Sequence, residues 1–396
     1  MGFFNIKPSS APWIGLPRCG QCGLSKTCTS PKMEPTGKGR HKILFVAEAP
    51  GEQEDRQGVQ LIGDAGKCLR KMLRTIGLDL DDCWKTNAAI CRPPKNEIED
   101  LHIESCRPNL LKTIAELKPR VIILLGLSAV KSLIPTEWQG DIGGAGRWIG
   151  WTIPSVTYGA WICPTYHPSY LVRQKEDPML MRMVTEHLEY AVALEGVEPR
   201  GLASDALSKQ IEVVVDIREG RKRMRKLAQR TGVLAFDYET TGLKPERKEQ
   251  EIYTCSFCLD GDETFACRID ESSHEALSAV LQNPDLQKVA SNLKFEERWT
   301  RVKLGHPVAA WHWDTMLTAH VLDNRSDITS VKFQSYIHFG VGDYSSTISP
   351  FLKAPTPNGL NQIKQAPLED LLRYNAMDSL MEYKVMRYQQ EIFDGH

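Results

Sequence analysis

Five residues in the second half of the chain carry carboxylates or a phenol at spacings that could do chemistry. The segment DYETTG sets Asp237 and Glu239 two residues apart at the end of the apolar run GVLAF. On a strand, alternate side chains share a face, so both carboxylates converge. Such a pair repels itself unless a divalent cation lies between its members, and oxygen-only ligands suit Mg²⁺ or Mn²⁺. An isolated D-x-E is also common on a solvated strand edge, so the remaining residues decide its meaning. Glu296 opens the helical segment KFEERW after the apolar KVA, and YNAMDS sets Tyr374 and Asp378 four residues apart, on one face of a helix.

The first half offers a different set. Eleven cysteines in a chain whose first residues lack the charged-then-apolar order of a secretory leader read as reduced thiols or metal ligands rather than disulfides. Cys19 and Cys22 form a CGQC pair, while Cys91 and Cys106 recur in CRPPKN and ESCRPN; buried small hydrophobes are the plain alternative. AEAPGEQEDRQG supplies Glu48, Pro50 and Gly51, TNAAI supplies Asn87, and TYHPSYLVR supplies His167, Ser169 and Arg173. Singly, these segments also fit a surface loop or a histidine that caps a helix.

These residues need elements to hold them. KILFVAE (42–48), CWKTNAAI (83–90) and VIILLG (121–126) read as strands, with helices over 65–77 and 97–118 between them and another over 178–196. This βαβ rhythm predicts a three-layer parallel-sheet α/β domain whose ligand site lies beyond the carboxyl ends of the strands. The stretch 197–209 has Pro, Gly and Ser without periodicity and reads as a linker between domains 1–196 and 210–396. After it come strands at 211–215 and 232–239, a basic helix at 217–230, strands in CSFCL and TFACRI, and helices near 294–304, 314–322 and 367–392. The region 323–366 reads as long loops around short helices.

Composition agrees with two globular domains. The 396 residues are 41% apolar and 25% charged, and no apolar run approaches the ~20 residues of a membrane span, so a soluble cytoplasmic protein is expected. Net charge is −1, which gives no bulk argument for nucleic-acid binding. Divided at residue 200, the first half has 25 Lys+Arg against 22 Asp+Glu (+3) and the second 24 against 28 (−4). The acidic half contains the proposed cation site, and the RKRMRK stretch at 221–226 is a basic patch within it.

From about 211 to 392 the motifs resemble the DEDDy branch of the DnaQ-like 3′ to 5′ exonucleases, in particular the proofreading domain of family A DNA polymerases, with an RNase H-like α/β fold. The resemblance implies catalytic roles and two Mg²⁺ or Mn²⁺ ions for Asp237, Glu239, Glu296 and Asp378, with Tyr374 orienting the attacking water. Asp237 would bridge both ions and Glu296 would act through water. Thr240, Leu243 and Asn292 become candidate nucleic-acid contacts, and Lys294 keeps the pattern before Glu296. Glu296 departs from the family, which usually has aspartate there.

The first 195 residues resemble the iron–sulfur uracil-DNA glycosylases of families 4 and 5. That resemblance implies a [4Fe-4S] cluster on Cys19, Cys22, Cys91 and Cys106, with zinc as the alternative, and leaves Cys28 unused. It makes Glu48 and the loop to Gly51 water-activating and base-contacting, Asn87 the reader of a flipped uracil's edge, and His167 the stabiliser of charge on the leaving base. Ser169, Tyr170 and Arg173 lie on the loop that would fill the emptied stack. Leu61, in GVQLIG, stands where the family has an aromatic ring, and Val59 and Gln60 replace a basic residue and a proline.

The fusion resembles phage replication proteins, which implies DNA as substrate, a polymerase partner or a polymerase domain on a longer chain, and the host cytoplasm for a phage-encoded protein. The contrasting expectation is a non-catalytic DNA-binding accessory or scaffold subunit of a polymerase.

Overall fold

The computed structural model describes residues 15–356 and 358–395; the initial segment 1–14, read above for leader character, lies outside them. The described residues form two compact units, one of residues up to Gly201 with Ile337–Gly340 and the other of Leu202–Tyr336 with the residues from Val341 on. The stretch read as a linker contains a short helix, Ser204–Ser208.

In the first unit the continuous apolar runs form interior strands. Ile43–Ala47 (β1) and Val121–Leu125 (β3) are buried at every residue, as a parallel strand covered on both faces must be. Trp84–Asn87 (β2), Ile153–Ser155 (β4) and Ala160–Thr165 (β5) complete a sheet of order β2-β1-β3-β5-β4. All pairings are parallel except β4 against β5. Leu69, Met72 and Leu73 from helix Asp64–Thr75, with Val184 and Leu188 from helix Pro178–Ala193, pack on the face carrying Ile43, Phe45, Val121 and Ile123. Leu44, Val46, Ile122 and Leu124 are equally buried on the opposite face, which gives the three layers expected.

β2 is shorter than its sequence suggested. It ends at Asn87, after which Ala88 and Ala89 donate to the carbonyls of Ala47 and Glu48 and carry the chain away toward Cys91. β4 and β5 were not read from the sequence, because prolines interrupt both and obscure their apolar pattern.

The second unit is a six-stranded sheet of Ile211–Val214 (β6), Gly232–Thr240 (β7), Ile252–Leu259 (β8), Glu263–Arg268 (β9), Leu286–Ala290 (β10) and Trp311–Asp314 (β11). Its order is β11-β10-β7-β8-β9-β6. β7, β8 and β9 form an antiparallel meander, while β10 pairs parallel with β7 and with β11, and β6 parallel with β9. Helix Leu368–Asp394 is one unbroken helix that packs across the sheet, and every residue from Tyr374 to Glu382 is buried. The region 323–366 contains helices Val331–Phe339 and Ser349–Leu352.

Candidate functional sites

The first unit's pocket lies where a parallel sheet offers one, beyond the carboxyl ends of β1, β2 and β5. Glu48, Pro50, Gly51, Glu54, Leu61, Asn87, His167, Ser169 and Arg173 line it, so the segments singled out in the sequence meet at one place. Glu48 follows β1 directly, and its Oε2 accepts a 2.7 Å hydrogen bond from Ser128 Oγ. Asn87, the last residue of β2, is 2% exposed, and its Nδ2 has no partner. A buried donor left unpaired costs about 1–3 kcal/mol, so a group aimed at a ligand-sized space is set to bind one.

His167 caps helix Pro168–Arg173. Its Nδ1 accepts the Ser169 N–H at 3.1 Å, which puts the ring proton of the neutral form on Nε2. Burial holds the imidazole below its usual pKa, with Arg173 pressing the same way against the pull of Glu48 and Glu54. The result is a neutral ring with an Nε2–H donor. Gly126, at φ +82, permits this placement, since a Cβ there would lie 2.9 Å from His167 Cβ.

Leu61 also lines the pocket, at φ +54, a left-handed conformation uncommon for leucine, and is 5% exposed. Gly66 accommodates it, because a Cβ at 66 would meet the Leu61 carbonyl oxygen at 1.9 Å. Glu54, which the sequence reading missed, fixes the same loop by accepting the N–H groups of Ile62 and Gly63 at 3.0 and 2.8 Å. Gln60 is fully buried and bonds to Thr36 and to the Glu34 carbonyl, so its role is structural.

Cys19, Cys22, Cys91 and Cys106 line one cavity with Leu24, Ala89 and Ile90, although Cys91 and Cys106 lie far from the CGQC pair in sequence. The Lys32 N–H donates to Cys91 Sγ at 3.2 Å, and the Ile90 N–H and Asn109 Nδ2 donate to Cys106 Sγ at 3.4 Å. Burial pushes the Cys91 thiol up to about 12 and raises that of Cys106. Asp55, a residue the sequence reading passed over, ties this loop to the helix after Gly51 by accepting the Thr29 and Ser30 N–H groups.

In the second unit the described residues contain one group of three metal-ligating atoms within 4.8 Å of one another: Asp237, Glu239 and Asp378. β7 delivers the first two on one face and the C-terminal helix delivers the third. Burial first, then the neighbouring carboxylates, push Asp237 and Glu239 well above the usual range, while Lys332 pulls both down. Asn375 Nδ2 donates to Asp237 Oδ2 at 2.7 Å. Glu296 stands outside the trio, 2% exposed, with Oε2 unpartnered.

Tyr374 is 5% exposed. Burial, together with Asp378 and Glu239, raises its phenol well above the ordinary value, which keeps it protonated and unsuited to act as a base. Asn292 takes a left-handed turn at φ +63 and donates its N–H to Asp314. Thr240 is buried and its hydroxyl donates to the Gly242 carbonyl, whereas Leu243 is 61% exposed beyond the end of β7.

Sequence reasoning missed Lys332, Tyr344 and Glu382 in this site. Tyr344 donates to Asp378 Oδ1 at 2.6 Å, and Lys332 donates to the Tyr374 hydroxyl at 2.7 Å. Glu382 is 2% exposed, accepts the Ser291 N–H and leaves Oε2 without a partner. Only Glu382 had a signal, its position one turn beyond Asp378 on the same helix face.

A parallel-sheet pocket with a neutral histidine and an unpaired asparagine amide, and a separate carboxylate trio, define a nucleic-acid-processing enzyme of two domains. Residues 34–189 match the uracil DNA glycosylase superfamily, and residues 212–391 match a 3′-5′ exonuclease family. The chain is 35% identical over 170 residues to the Type-4 uracil-DNA glycosylase of Pyrobaculum aerophilum, covering 40% of this chain and 82% of that protein. It is 34% identical over 151 residues to the Type-4 uracil-DNA glycosylase of Thermotoga maritima, covering 38% of this chain and 76% of that one. Through its first domain the chain belongs to the Type-4 uracil-DNA glycosylase family, and its second domain is a 3′-5′ exonuclease domain. A DNA polymerase of Bacillus phage SP01 is 25% identical over 348 residues, spanning 80% of this chain and 36% of the polymerase. Among the described residues no helix is long and apolar enough to cross a membrane.

Proposed function

We propose that the second domain is a metal-dependent proofreading exonuclease that removes nucleotides from the 3′ end of DNA, and that the first excises uracil from the same DNA. The observation that carries the nuclease reading is the convergence of Asp237, Glu239 and Asp378 within 4.8 Å, close enough that their charges need a counter-ion. These residues would hold Mg²⁺ or Mn²⁺, with Glu296 assisting through water, and the ions would neutralise the scissile phosphate and the leaving 3′ oxygen. Tyr374, protonated, orients the attacking water by donating its hydroxyl hydrogen. Leu243, exposed three residues beyond the end of β7, offers an apolar contact to the terminal base.

In the glycosylase reading, Asn87 Nδ2 finds its missing acceptor on the edge of a flipped uracil. His167 Nε2–H donates to the oxygen on which negative charge collects as the glycosidic bond breaks. Glu48, oriented by Ser128, holds the water that attacks the sugar carbon. Leu61 closes the pocket without stacking as an aromatic ring would. The four cysteines, lining one cavity, suit a [4Fe-4S] cluster. Thiolate ligation and N–H···S bonds are what such a cluster uses.

The phage polymerase similarity supports a role beside DNA synthesis, with a polymerase as partner or on a longer chain. Two assays on the full chain test the reading. A 3′-extended primer should shorten in Mg²⁺, and a D237A/E239A variant should leave it intact. A uracil-containing strand in EDTA should yield alkali-sensitive sites that N87A does not produce. Intact DNA in both wild-type assays, with tight metal-independent binding, would instead identify an accessory DNA-binding subunit.

A further inference from the structure

Lys332 stands in the nuclease site without any place in the motifs that define it. It is the second residue of helix Val331–Phe339. Nζ lies 2.7 Å from the Tyr374 hydroxyl and 3.6 Å from Asp378 Oδ1, and sits 4.8 Å from the centre of the Tyr374 ring and 5.8 Å from that of Tyr344. The two rings stand 6.1 Å apart, and Tyr344 completes the arrangement through its hydrogen bond to the same Asp378 oxygen. An ammonium bonded to a phenol oxygen and lying beside a carboxylate is held by hydrogen bond and charge together.

The geometry points to Lys332 as a positioning residue of the exonuclease with two separable effects, one on the Tyr374 hydroxyl and one on cation binding at Asp378; this rests on the nuclease reading above. The first effect follows from hydrogen-bond geometry. An ammonium can only donate, so Lys332 occupies an acceptor site of the phenol oxygen. The phenol hydrogen is thereby turned away from Lys332 and directed toward the water or phosphate it must meet. Without Lys332 the hydroxyl can rotate and donate to Asp378 or Glu239 instead, and turnover falls while DNA binding does not.

The second effect has the opposite sign for the metal. A fixed positive charge 3.6 Å from Asp378 neutralises the carboxylates when no cation is bound and repels a divalent cation that arrives there. Removing it should therefore tighten metal binding even as it slows the reaction. A merely structural lysine would leave both quantities alone or worsen both.

The test uses the full chain as wild type, K332M, K332R, Y374F and the Y374F/K332M double variant. Mn²⁺ binding is measured by calorimetry and by loss of the free-ion spin resonance signal, and single-strand DNA degradation is measured at saturating Mn²⁺. K332M should bind Mn²⁺ at least fivefold more tightly, lose at least tenfold in kcat and keep KM for DNA within twofold. K332R should retain wild-type Mn²⁺ affinity and recover most of the turnover. In the Y374F background K332M should cost less than a further twofold in kcat. Unchanged or weaker Mn²⁺ binding by K332M overturns the charge effect, and an undiminished kcat loss in the Y374F background overturns the effect through Tyr374. If thermal melting shows that K332M does not fold, K332Q is read by the same criteria. A wild-type chain that binds Mn²⁺ yet leaves DNA intact overturns the nuclease reading itself, an outcome distinct from a failure of the Lys332 signature.

Discussion

The carboxylate trio should make the cation-free protein less stable than a variant that lacks one of its charges. Glu239→Gln keeps the shape and removes the charge. At the 4.8 Å bounding separation and an effective dielectric of ~20, each like-charge pair costs about 3.5 kcal/mol, and Glu239 takes part in two such pairs. Lys332 offsets part of this, and proton uptake caps the rest, so a net gain of about 1–3 kcal/mol is expected for E239Q at pH 8 in EDTA. For a domain of this size that is a rise of roughly 2–12 °C in Tm.

The pH dependence follows from the direction of the shifts. Burial and the neighbouring carboxylates raise Glu239 and Asp237 well above their usual range, so the folded protein binds more protons than the unfolded chain above that range. The stability they contribute is fully present below the ordinary carboxylate pKa of ~4 and is lost as pH rises toward the raised values. E239Q should thus match wild type near pH 4.5 and exceed it at pH 8. Millimolar Mg²⁺ should reverse the order, since a cation that binds only the folded state stabilises wild type more than the variant. Calorimetric melts at both pH values, with EDTA or Mg²⁺, give the answer. An E239Q variant no more stable than wild type at pH 8 in EDTA, or one stabilised equally by Mg²⁺, would refute the reasoning.

Three further outcomes are expected. Asn87→Ala should lower uracil excision at least a hundredfold and leave exonuclease turnover unchanged, which oligonucleotide assays on one preparation can check. Ser128→Ala removes the 2.7 Å hydrogen bond to Glu48, worth about 1 kcal/mol, and should slow excision roughly fivefold with little change in uracil-DNA affinity. Cys106→Ser should abolish the broad absorbance near ~400 nm of an iron–sulfur protein and lower the melting temperature of the first domain, while the second domain's transition stays in place.

Much of the site was legible in the sequence because its residues sit at strand and helix ends. Asp237 and Glu239 follow an apolar run whose period of two fixes their common face. Tyr374 and Asp378 share a helix face by spacing alone. Glu48, Asn87 and His167 came instead from the resemblance to the glycosylases; the structure puts them where β1, β2 and β5 end or just beyond, although β2 was read as running on to residue 90 and β5 was not read at all. Backbone periodicity is a local property, and a local pattern is what a sequence displays directly.

What the chain brings together from afar was not legible. Lys332 lies in a stretch of weak pattern, read only as loops around short helices, and nothing in its neighbours signals that it will meet Tyr374. Tyr344 and Asp55 have the same character: each acts through one long-range hydrogen bond. Glu54 is nearer, yet its role in holding Leu61 in a left-handed conformation depends on a loop that only the packed pocket fixes. The order of the four cysteines could be read, but their meeting around one cavity could not. The sequence by itself determined the elements, the types of ligand and the faces they share, because those follow from steric period and donor chemistry. Tertiary packing decided which carboxylates crowd together, which amide is left unpaired and which ammonium balances the charge, because distance and burial set those energies and neither is encoded in any one segment.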